Sequence, residues 1–145
     1  MDKVMTNKVY ISWGDFHKHT KELLPTLQEK QFTKIIAVSR GGLIPAGILA
    51  YELNIRNVQT INISSYDDMA IRSDQDIEIE VTLEGVDQHT LIIDDISDTG
   101  RTFNLLRKKY PDAYFASVYA KPQGKNSTDK YAVLFQDQWV VFPWD

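Results

Sequence analysis

Three carboxylates and a candidate anion-binding loop follow directly after a short apolar run in residues 91–102, which read LIIDDISDTGRT. Asp94 and Asp95 are adjacent, and Asp98 comes three residues after them. A loop of Thr, Gly and Thr that leads into a helix turns several backbone N–H groups toward one point, and the helix N-terminus adds partial positive charge. Residues 98–102 are therefore suited to holding a phosphate group.

The acidic pair needs a partner other than the phosphate, which it would repel. Ribose hydroxyls donate hydrogen bonds to carboxylates, and Mg²⁺ takes hard oxygen ligands while keeping water and substrate oxygens. The spacing thus predicts a sugar phosphate with a metal ion, the hydroxyls and Mg²⁺ lying on Asp94 and Asp95. The phosphate would be held by Asp98, Thr99, Gly100, Arg101 and Thr102. An alternative is that Asp98 only caps a helix and that the acidic pair simply ends a strand.

The elements that must position these residues can be placed from the apolar pattern. Residues 35–39 and 90–94 are largely apolar and are typical of buried strands, and a glycine-containing break follows each of them, at 40–42 and 98–102. Further strands are predicted at 58–64, 77–83, 113–120 and in the aromatic tail, and a loop at 66–76. Helices are predicted over 13–31, kinked or split at Pro25, from Pro45 to Leu53, and from Thr102 to Lys109.

Strands that alternate with helices indicate an α/β fold with a mainly parallel central sheet flanked by helices. Ligands of such sheets bind outside the carboxyl ends of the strands, so both glycine-containing breaks should open onto one crevice. The length of 145 residues suits one domain spanning 1–145 with a sizeable core.

Composition narrows the classes of function. A net charge of −4 argues against a nucleic-acid binder that works mainly by phosphate neutralisation. The absence of cysteine excludes disulfides and Cys-based metal sites. No apolar run approaches the ~18–20 residues that span a bilayer, and the first residues lack the apolar stretch of a signal peptide. We therefore expect a cytoplasmic protein.

Two of these motifs resemble those of a known family. Residues 91–102 resemble the phosphoribosyl-pyrophosphate signature of the type I phosphoribosyltransferases, and residues 39–42, SRGG, resemble the pyrophosphate loop of the same family. Further stretches are similar to the bacterial xanthine-guanine phosphoribosyltransferases, namely IIAVSRGGLIPAGILAYELNIR, ISSYDD, AKPQG and QDQWVVFPWD. The resemblance covers nearly the whole chain in the expected order. It implies the type I phosphoribosyltransferase fold, with a small N- and C-terminal hood contributed mainly by about 121–145.

The resemblance also implies an activity. A purine-salvage enzyme of this family transfers the 5-phosphoribosyl group from phosphoribosyl pyrophosphate to a 6-oxopurine, which is guanine, xanthine or hypoxanthine. The products are the nucleoside 5′-monophosphate and pyrophosphate, and the cofactor is Mg²⁺. The implied partners are these small molecules, without nucleic acid or membrane, and the implied assembly is a homodimer or homotetramer.

Roles for single residues follow from their positions in the matching motifs. The resemblance implies that Asp94, Asp95 and Asp98 form the catalytic group, with Asp94 and Asp95 at the metal and Asp98 near N7 of the purine, where it is often proposed to transfer a proton. Pyrophosphate would be bound by Ser39, Arg40, Gly41 and Arg72, and a cis peptide beside this loop is typical of the family.

The purine would be recognised by residues near the C-terminus. Lys121 matches the lysine that donates to the 6-oxo group, and Trp139 matches the aromatic residue that stacks on the base. The backbone around Val140 would meet the edge of the base at its 2-position, and Asp145 matches a late acidic residue near base and metal.

The chain departs from the family pattern at two places. Arg101 stands where this branch usually has Gly, so its side chain must point outward or contact the phosphate. The sequence stops at Asp145, where relatives continue with a short tail, so we expect the closing of the hood over the base to differ.

Two other classes of function remain as alternatives. One is a regulatory protein that keeps the phosphoribosyltransferase fold in order to sense nucleotides and bind RNA, although its expected basic stripe is not evident because the basic residues are scattered. The other is a phosphorylatable receiver domain, which also places acidic residues and Mg²⁺ at strand ends. Receivers carry their acidic pair after the first strand, whereas the pair here lies in the second half of the chain.

Overall fold

The computed structural model describes residues 7–65, 77–79 and 83–145. The strands of this part of the chain are β1 (Lys8–Tyr10), β2 (Lys34–Ser39), β3 (Val58–Ser65), β4 (Ile77–Ile79), β5 (Thr90–Ser97), β6 (Tyr114–Ala120), β7 (Lys130–Leu134) and β8 (Trp139–Val141). The helices are α1 (Trp13–Lys21), α2 (Leu24–Gln28), α3 (Leu43–Glu52), α4 (Arg101–Lys109) and a 3₁₀ turn at Lys125–Ser127. The predicted α/β class is confirmed.

The main sheet winds outward from its centre in two directions. Its strand order is β4-β3-β2-β5-β6-β7, in which the described strands are all parallel except β4, which pairs antiparallel with β3 at the edge. The chain passes from β2 to β3 on one side and from β5 to β6 and β7 on the other. The winding reverses between β2 and β5, so the loops that follow these two strands diverge and open a crevice.

Both faces of the sheet are buried, which explains why the central strands are apolar throughout. Successive side chains of a strand point to opposite faces. Ile35 and Leu91 pack in the cluster that includes α1 and α3, and Ile36 and Ile92 pack in the cluster that includes α4. Each fully buried side chain of this size stabilises the fold by about 1.5–3 kcal/mol, so the two layers hold the strand ends in place.

The first helices differ from their prediction in extent. The helix predicted over 13–31 is split into α1 and α2, as its proline predicted, but it ends at Gln28, and Pro25 lies in the first turn of α2. The helix predicted from Pro45 begins two residues earlier, at Leu43. Both prolines are tolerated because first-turn N–H groups have no partner within the helix to lose. Ser12 begins α1 by accepting a hydrogen bond from the N–H of Asp15 at 3.0 Å.

Strand β5 is longer than predicted. The apolar pattern ends at Asp94, but pairing with β6 continues to the pair Ser97 and Ala120. The acidic pair therefore lies within a strand whose direction is set by its neighbour. Of the strand predicted at 77–83 the structure describes 77–79 as β4, and the loop predicted at 66–76 lies outside the described residues.

A second, small sheet joins the two ends of the described chain. β1 pairs in parallel with β8, and the N–H of Ile11 donates to the carbonyl of Val141 at 2.9 Å. The hood expected at about 121–145 is divided, because β7 is the edge strand of the main sheet whereas β8 belongs to the small sheet. The longest described helix, α3, has ten residues, and no helix of the described chain reaches the length and apolarity of a membrane span.

Candidate active site

An open cleft with a volume of about 960 Å³ lies over the carboxyl ends of β2 and β5. Its walls come from the loop after β2, the end of β5, the residue after β6, and the small sheet with its following turn. The residues that line it are Arg40, Gly41, Leu43, Ile44, Asp95, Ile96, Asp98, Lys121, Trp139, Val140, Phe142, Trp144 and Asp145. A cleft of this size accommodates a small organic molecule.

A smaller cleft of about 100 Å³ adjoins the first one at Ile96 and Asp98. Its lining residues are Asp94, Ile96, Ser97, Asp98, Thr99, Gly100, Arg101, Thr102 and Phe103. Gly100 begins α4 with φ +90°, a conformation that glycine adopts without strain. The residues predicted to hold a phosphate thus surround one concave site, and Arg101 borders it.

The N-terminus of α4 is available to an anion. The N-cap residue of this helix is Gly100, which has no side chain, so the alternative in which Asp98 serves only as its cap is wrong. The hydroxyl of Thr99 accepts a hydrogen bond from the N–H of Arg101 at 3.3 Å. First-turn N–H groups have no partner within a helix, and the helix dipole adds partial positive charge there. The smaller cleft therefore favours a phosphate group.

The acidic pair is partly buried, and the pKa values of both carboxyl groups are raised. Asp94 accepts a hydrogen bond from the N–H of Asp95 at 2.8 Å. Burial raises the pKa of the Asp94 carboxyl well above its usual range, and the charge of Asp95 raises it further. Burial also raises the pKa of Asp95, to which the charge of Asp145 adds. Two adjacent carboxylates in this state are suited to a divalent cation or to hydroxyl donors.

Replacing Asp94 with asparagine is expected to stabilise the free protein at neutral pH. The pKa of Asp94 is higher in the folded state, so its contribution to stability is present below the unfolded value and is lost as pH rises through the folded value. Each pKa unit corresponds to about 1.4 kcal/mol, and each kcal/mol to about 2–4 °C in Tm. The amide keeps the acceptor for the N–H of Asp95 but cannot ionise.

Calorimetry of Asp94→Asn and the wild type between pH 4 and pH 8, in chelator, tests this expectation. The Tm of the variant should exceed that of the wild type at pH 8, and the difference should shrink toward pH 4. Equal Tm values at pH 8 would show that the buried carboxylate carries no such penalty.

The glycine-containing loop after β2 packs directly against the acidic pair. A Cβ atom at Gly41 would lie 2.7–2.8 Å from the three carboxylate atoms of Asp95, and one at Gly42 would lie 2.8 Å from the backbone nitrogen of Val38. Backbone atoms therefore exclude a side chain at Gly42, whereas a side chain at Gly41 would have to displace the carboxylate of Asp95. The Ser39–Arg40 peptide is cis, the conformation expected beside this loop.

The side of the cleft predicted to bind a base combines one cation with several rings. The ammonium Nζ of Lys121 lies 3.7 Å from Oδ1 of Asp98. Trp139 is 65% exposed, so one face of its ring is open to a ligand. Phe142 and Trp144 stack with ring centroids 4.8 Å apart. Asp145 accepts a hydrogen bond from the N–H of Phe142 at 2.9 Å, which closes the turn after the small sheet.

Most of the residues singled out from the sequence line these two clefts. Ser39 ends β2 without lining either cleft, and Arg72 lies outside the described residues. Sequence reasoning missed the apolar lining, which is formed by Leu43, Ile44, Ile96, Phe142 and Trp144. Trp144 lines the cleft and also packs on Phe142. The cluster of rings in the tail was the available signal.

Comparison with known proteins identifies the family to which this chain is similar. The phosphoribosyl transferase domain family matches residues 12–145. The xanthine-guanine phosphoribosyltransferase of Idiomarina loihiensis is 45% identical over 138 residues, which cover 94% of this chain and 86% of that protein. The xanthine-guanine phosphoribosyltransferase of Desulfotalea psychrophila is 44% identical over 140 residues, which cover 93% and 84%.

A solved structure agrees with these relatives. The purine phosphoribosyltransferase of Pyrococcus horikoshii superposes with a TM-score of 0.80 at 28% identity, over 96% of this chain and 94% of that one. Because the family match spans almost the whole sequence and the relatives share more than two fifths of their residues with it, the predicted resemblance is confirmed. The chain belongs to the phosphoribosyltransferase family.

Proposed function

We propose that this phosphoribosyltransferase acts in purine salvage and transfers the 5-phosphoribosyl group from phosphoribosyl pyrophosphate to guanine, xanthine or hypoxanthine. The observation that carries the proposal is the junction of the two clefts at Asp98. There an anion site, an acidic pair and a lysine with an aromatic wall meet within one crevice. The names of the two similar sequences support a 6-oxopurine as the acceptor.

The proposed ligand positions follow the chemistry of each wall. The 5′-phosphate would occupy the smaller cleft at the N-terminus of α4, and the ribose hydroxyls would donate to the acidic pair. The pyrophosphate would lie against Arg40 and Gly41, on the other side of Asp95. Roles for Ser39 and Arg72 at the pyrophosphate stay predictions from the family resemblance.

The donor set of the acidic pair fits Mg²⁺. Asp94 and Asp95 present hard oxygen ligands. The raised pKa of Asp94 reflects burial and the charge of Asp95, and the raised pKa of Asp95 reflects burial and the charge of Asp145, which a cation would offset. When bound, the ion would neutralise charge on the pyrophosphate as it leaves. In the proposal Asp95 carries most of this role, because its carboxylate borders the larger cleft and touches the loop at Gly41.

The base would be selected by a donor and an aromatic surface. A lysine ammonium can only donate hydrogen bonds, so Lys121 suits the 6-oxo group of guanine and disfavours the 6-amino group of adenine. The open ring of Trp139 provides a stacking surface, and the backbone at Val140 would meet the 2-position. Asp145 closes the turn beside this surface and would lie near both base and metal.

The direct test supplies the purified protein with phosphoribosyl pyrophosphate, Mg²⁺ and one base at a time. Chromatography should detect GMP, XMP or IMP together with released pyrophosphate, and adenine should be the poorest substrate. Chelation of Mg²⁺ should abolish turnover. No nucleotide from any 6-oxopurine would overturn the proposed function, and turnover that persists in chelator would overturn only the role of the metal.

The assembly stays a prediction from the family resemblance. We expect a homodimer or homotetramer, which light scattering of the purified protein tests by its mass. The cytoplasmic location stays a prediction from the apolar pattern of the sequence and is tested by fractionation.

A further inference from the structure

Ser97, the last residue of β5, connects this strand to the segment that carries Lys121. Its side chain is buried, and its hydroxyl donates to the carbonyl of Gly124 at 2.7 Å. Its own carbonyl accepts a hydrogen bond from the N–H of Lys121 at 3.0 Å. Both ends of the turn at residues 121–124 are therefore tied to the residue that directly precedes Asp98.

The turn at 121–124 packs directly against the end of β5. A Cβ atom at Gly124 would overlap the carbonyl group of Ser97 and would lie 2.8 Å from the carbonyl oxygen of Asp98. The N–H of Gly124 donates to the carbonyl of Lys121 at 2.8 Å, which closes the turn. The backbone from which the side chain of Lys121 extends is thus held against the strand end.

The position of this backbone decides where the ammonium of Lys121 lies. The side chain of Lys121 is 20% exposed and that of Asp98 is 59% exposed, with 3.7 Å between Nζ and Oδ1. Lysine has a flexible four-carbon side chain, so the salt bridge alone does not fix its reach. A fixed backbone limits the positions that the ammonium can occupy.

We propose that Ser97 is a positioning residue, whose hydroxyl holds the turn at 121–124 so that the ammonium of Lys121 lies beside Asp98. By this means Ser97 sets the preference for purines that carry a 6-oxygen over purines that lack one. The inference rests on the proposed function. It assigns to Ser97 no contact with substrate and no part in the chemistry.

Ser127 provides a matched comparison within the same segment. Its hydroxyl donates to Oδ1 of Asn104 on α4 at 2.9 Å, and it packs against Gly100 in the middle of the phosphate loop at residues 98–102. Loss of this hydroxyl should affect the phosphate side of the site. Loss of the Ser97 hydroxyl should affect the base side.

The test compares kcat/KM for guanine and for 2-aminopurine, which keeps the 2-amino group and lacks the 6-oxygen. Ser97→Ala should lower the value for guanine on the order of 3- to 10-fold, the effect of losing one buried hydrogen bond. The value for 2-aminopurine and the KM for phosphoribosyl pyrophosphate should change less than about 2-fold. Ser127→Ala should leave the ratio of the two bases unchanged and raise the KM for phosphoribosyl pyrophosphate.

Two further measurements separate positioning from a loss of folding. In the Lys121→Ala background, Ser97→Ala should not lower the base ratio again, because the residue through which it acts is gone. A crystal structure of Ser97→Ala should show the Lys121–Asp98 pair opened, whereas that of Ser127→Ala should keep it.

Equal losses for both bases, or an intact pair in the Ser97→Ala crystal, would overturn the inference. A wild type that uses no 6-oxopurine would instead overturn the proposed function, and the crystal comparison would still decide the position of Lys121.

Discussion

Asp98→Asn is expected to lower kcat by about 10²- to 10³-fold, the range of an acid–base group at the reacting atoms. Asp98 is the acidic residue that borders both clefts, so its carboxylate faces the place where sugar and base would join. Asparagine keeps the size of the side chain but cannot take up or release a proton. Because the carboxylate is 59% exposed and caps no helix, the Tm should stay within about 2 °C of wild type.

A matched variant and a pH profile test the reason for this loss. Asp112→Asn changes the same chemistry at an exposed turn before β6 and should keep the kcat of the wild type. If Asp98 transfers the proton, Asp98→Asn should also remove one limb from the pH dependence of kcat. A variant that keeps more than half of the wild-type kcat would leave Asp98 only a binding role.

The chemistry-bearing part of the site could be predicted from the sequence because its residues are contiguous. Strand β5, the acidic pair and the phosphate loop occupy one stretch. An apolar run followed by acidic residues and Thr-Gly can be recognised without knowing which distant residues it contacts. The position of the loop after β2 could also be predicted, since parallel strands bring their carboxyl ends to the same edge. Arg40 and Asp95 accordingly line the same cleft.

The parts that could not be predicted depend on contacts between distant residues. The end of β5 is set by its pairing with β6, which the apolar pattern of β5 alone does not contain. Ile96 and Phe142 carry no chemistry that marks them as cleft residues, and only the folded chain shows that they line the cleft as well as packing against the core. The bond from Ser97 to Gly124 joins positions 27 residues apart. A serine in a run of acids offers no indication of such a partner.

The contact between Gly41 and Asp95 joins the loop after β2 to the acidic pair. It predicts a large loss of activity when a single methyl group is added at Gly41. Gly41→Ala should lower kcat/KM for phosphoribosyl pyrophosphate by about 10²-fold, because the added methyl group displaces the carboxylate of Asp95. The concentration of Mg²⁺ that gives half-maximal activity should rise with it, if Asp95 holds the ion as proposed. The fold should persist, since the displaced atoms end a side chain that borders an open cleft.

The nearby Gly47 supplies the control for this substitution. A Cβ atom at Gly47 would meet nothing within 4 Å, and the residue lies in the middle of α3. Gly47→Ala should keep wild-type kinetics and stabilise the protein by about 0.5–1 kcal/mol, the gain in helix propensity. Steady-state kinetics and thermal unfolding of the two variants therefore separate the effect of a methyl group at the acidic pair from the effect of losing a glycine. Wild-type kinetics in Gly41→Ala would contradict this prediction. They would show that catalysis does not depend on the position of the Asp95 carboxylate against Gly41.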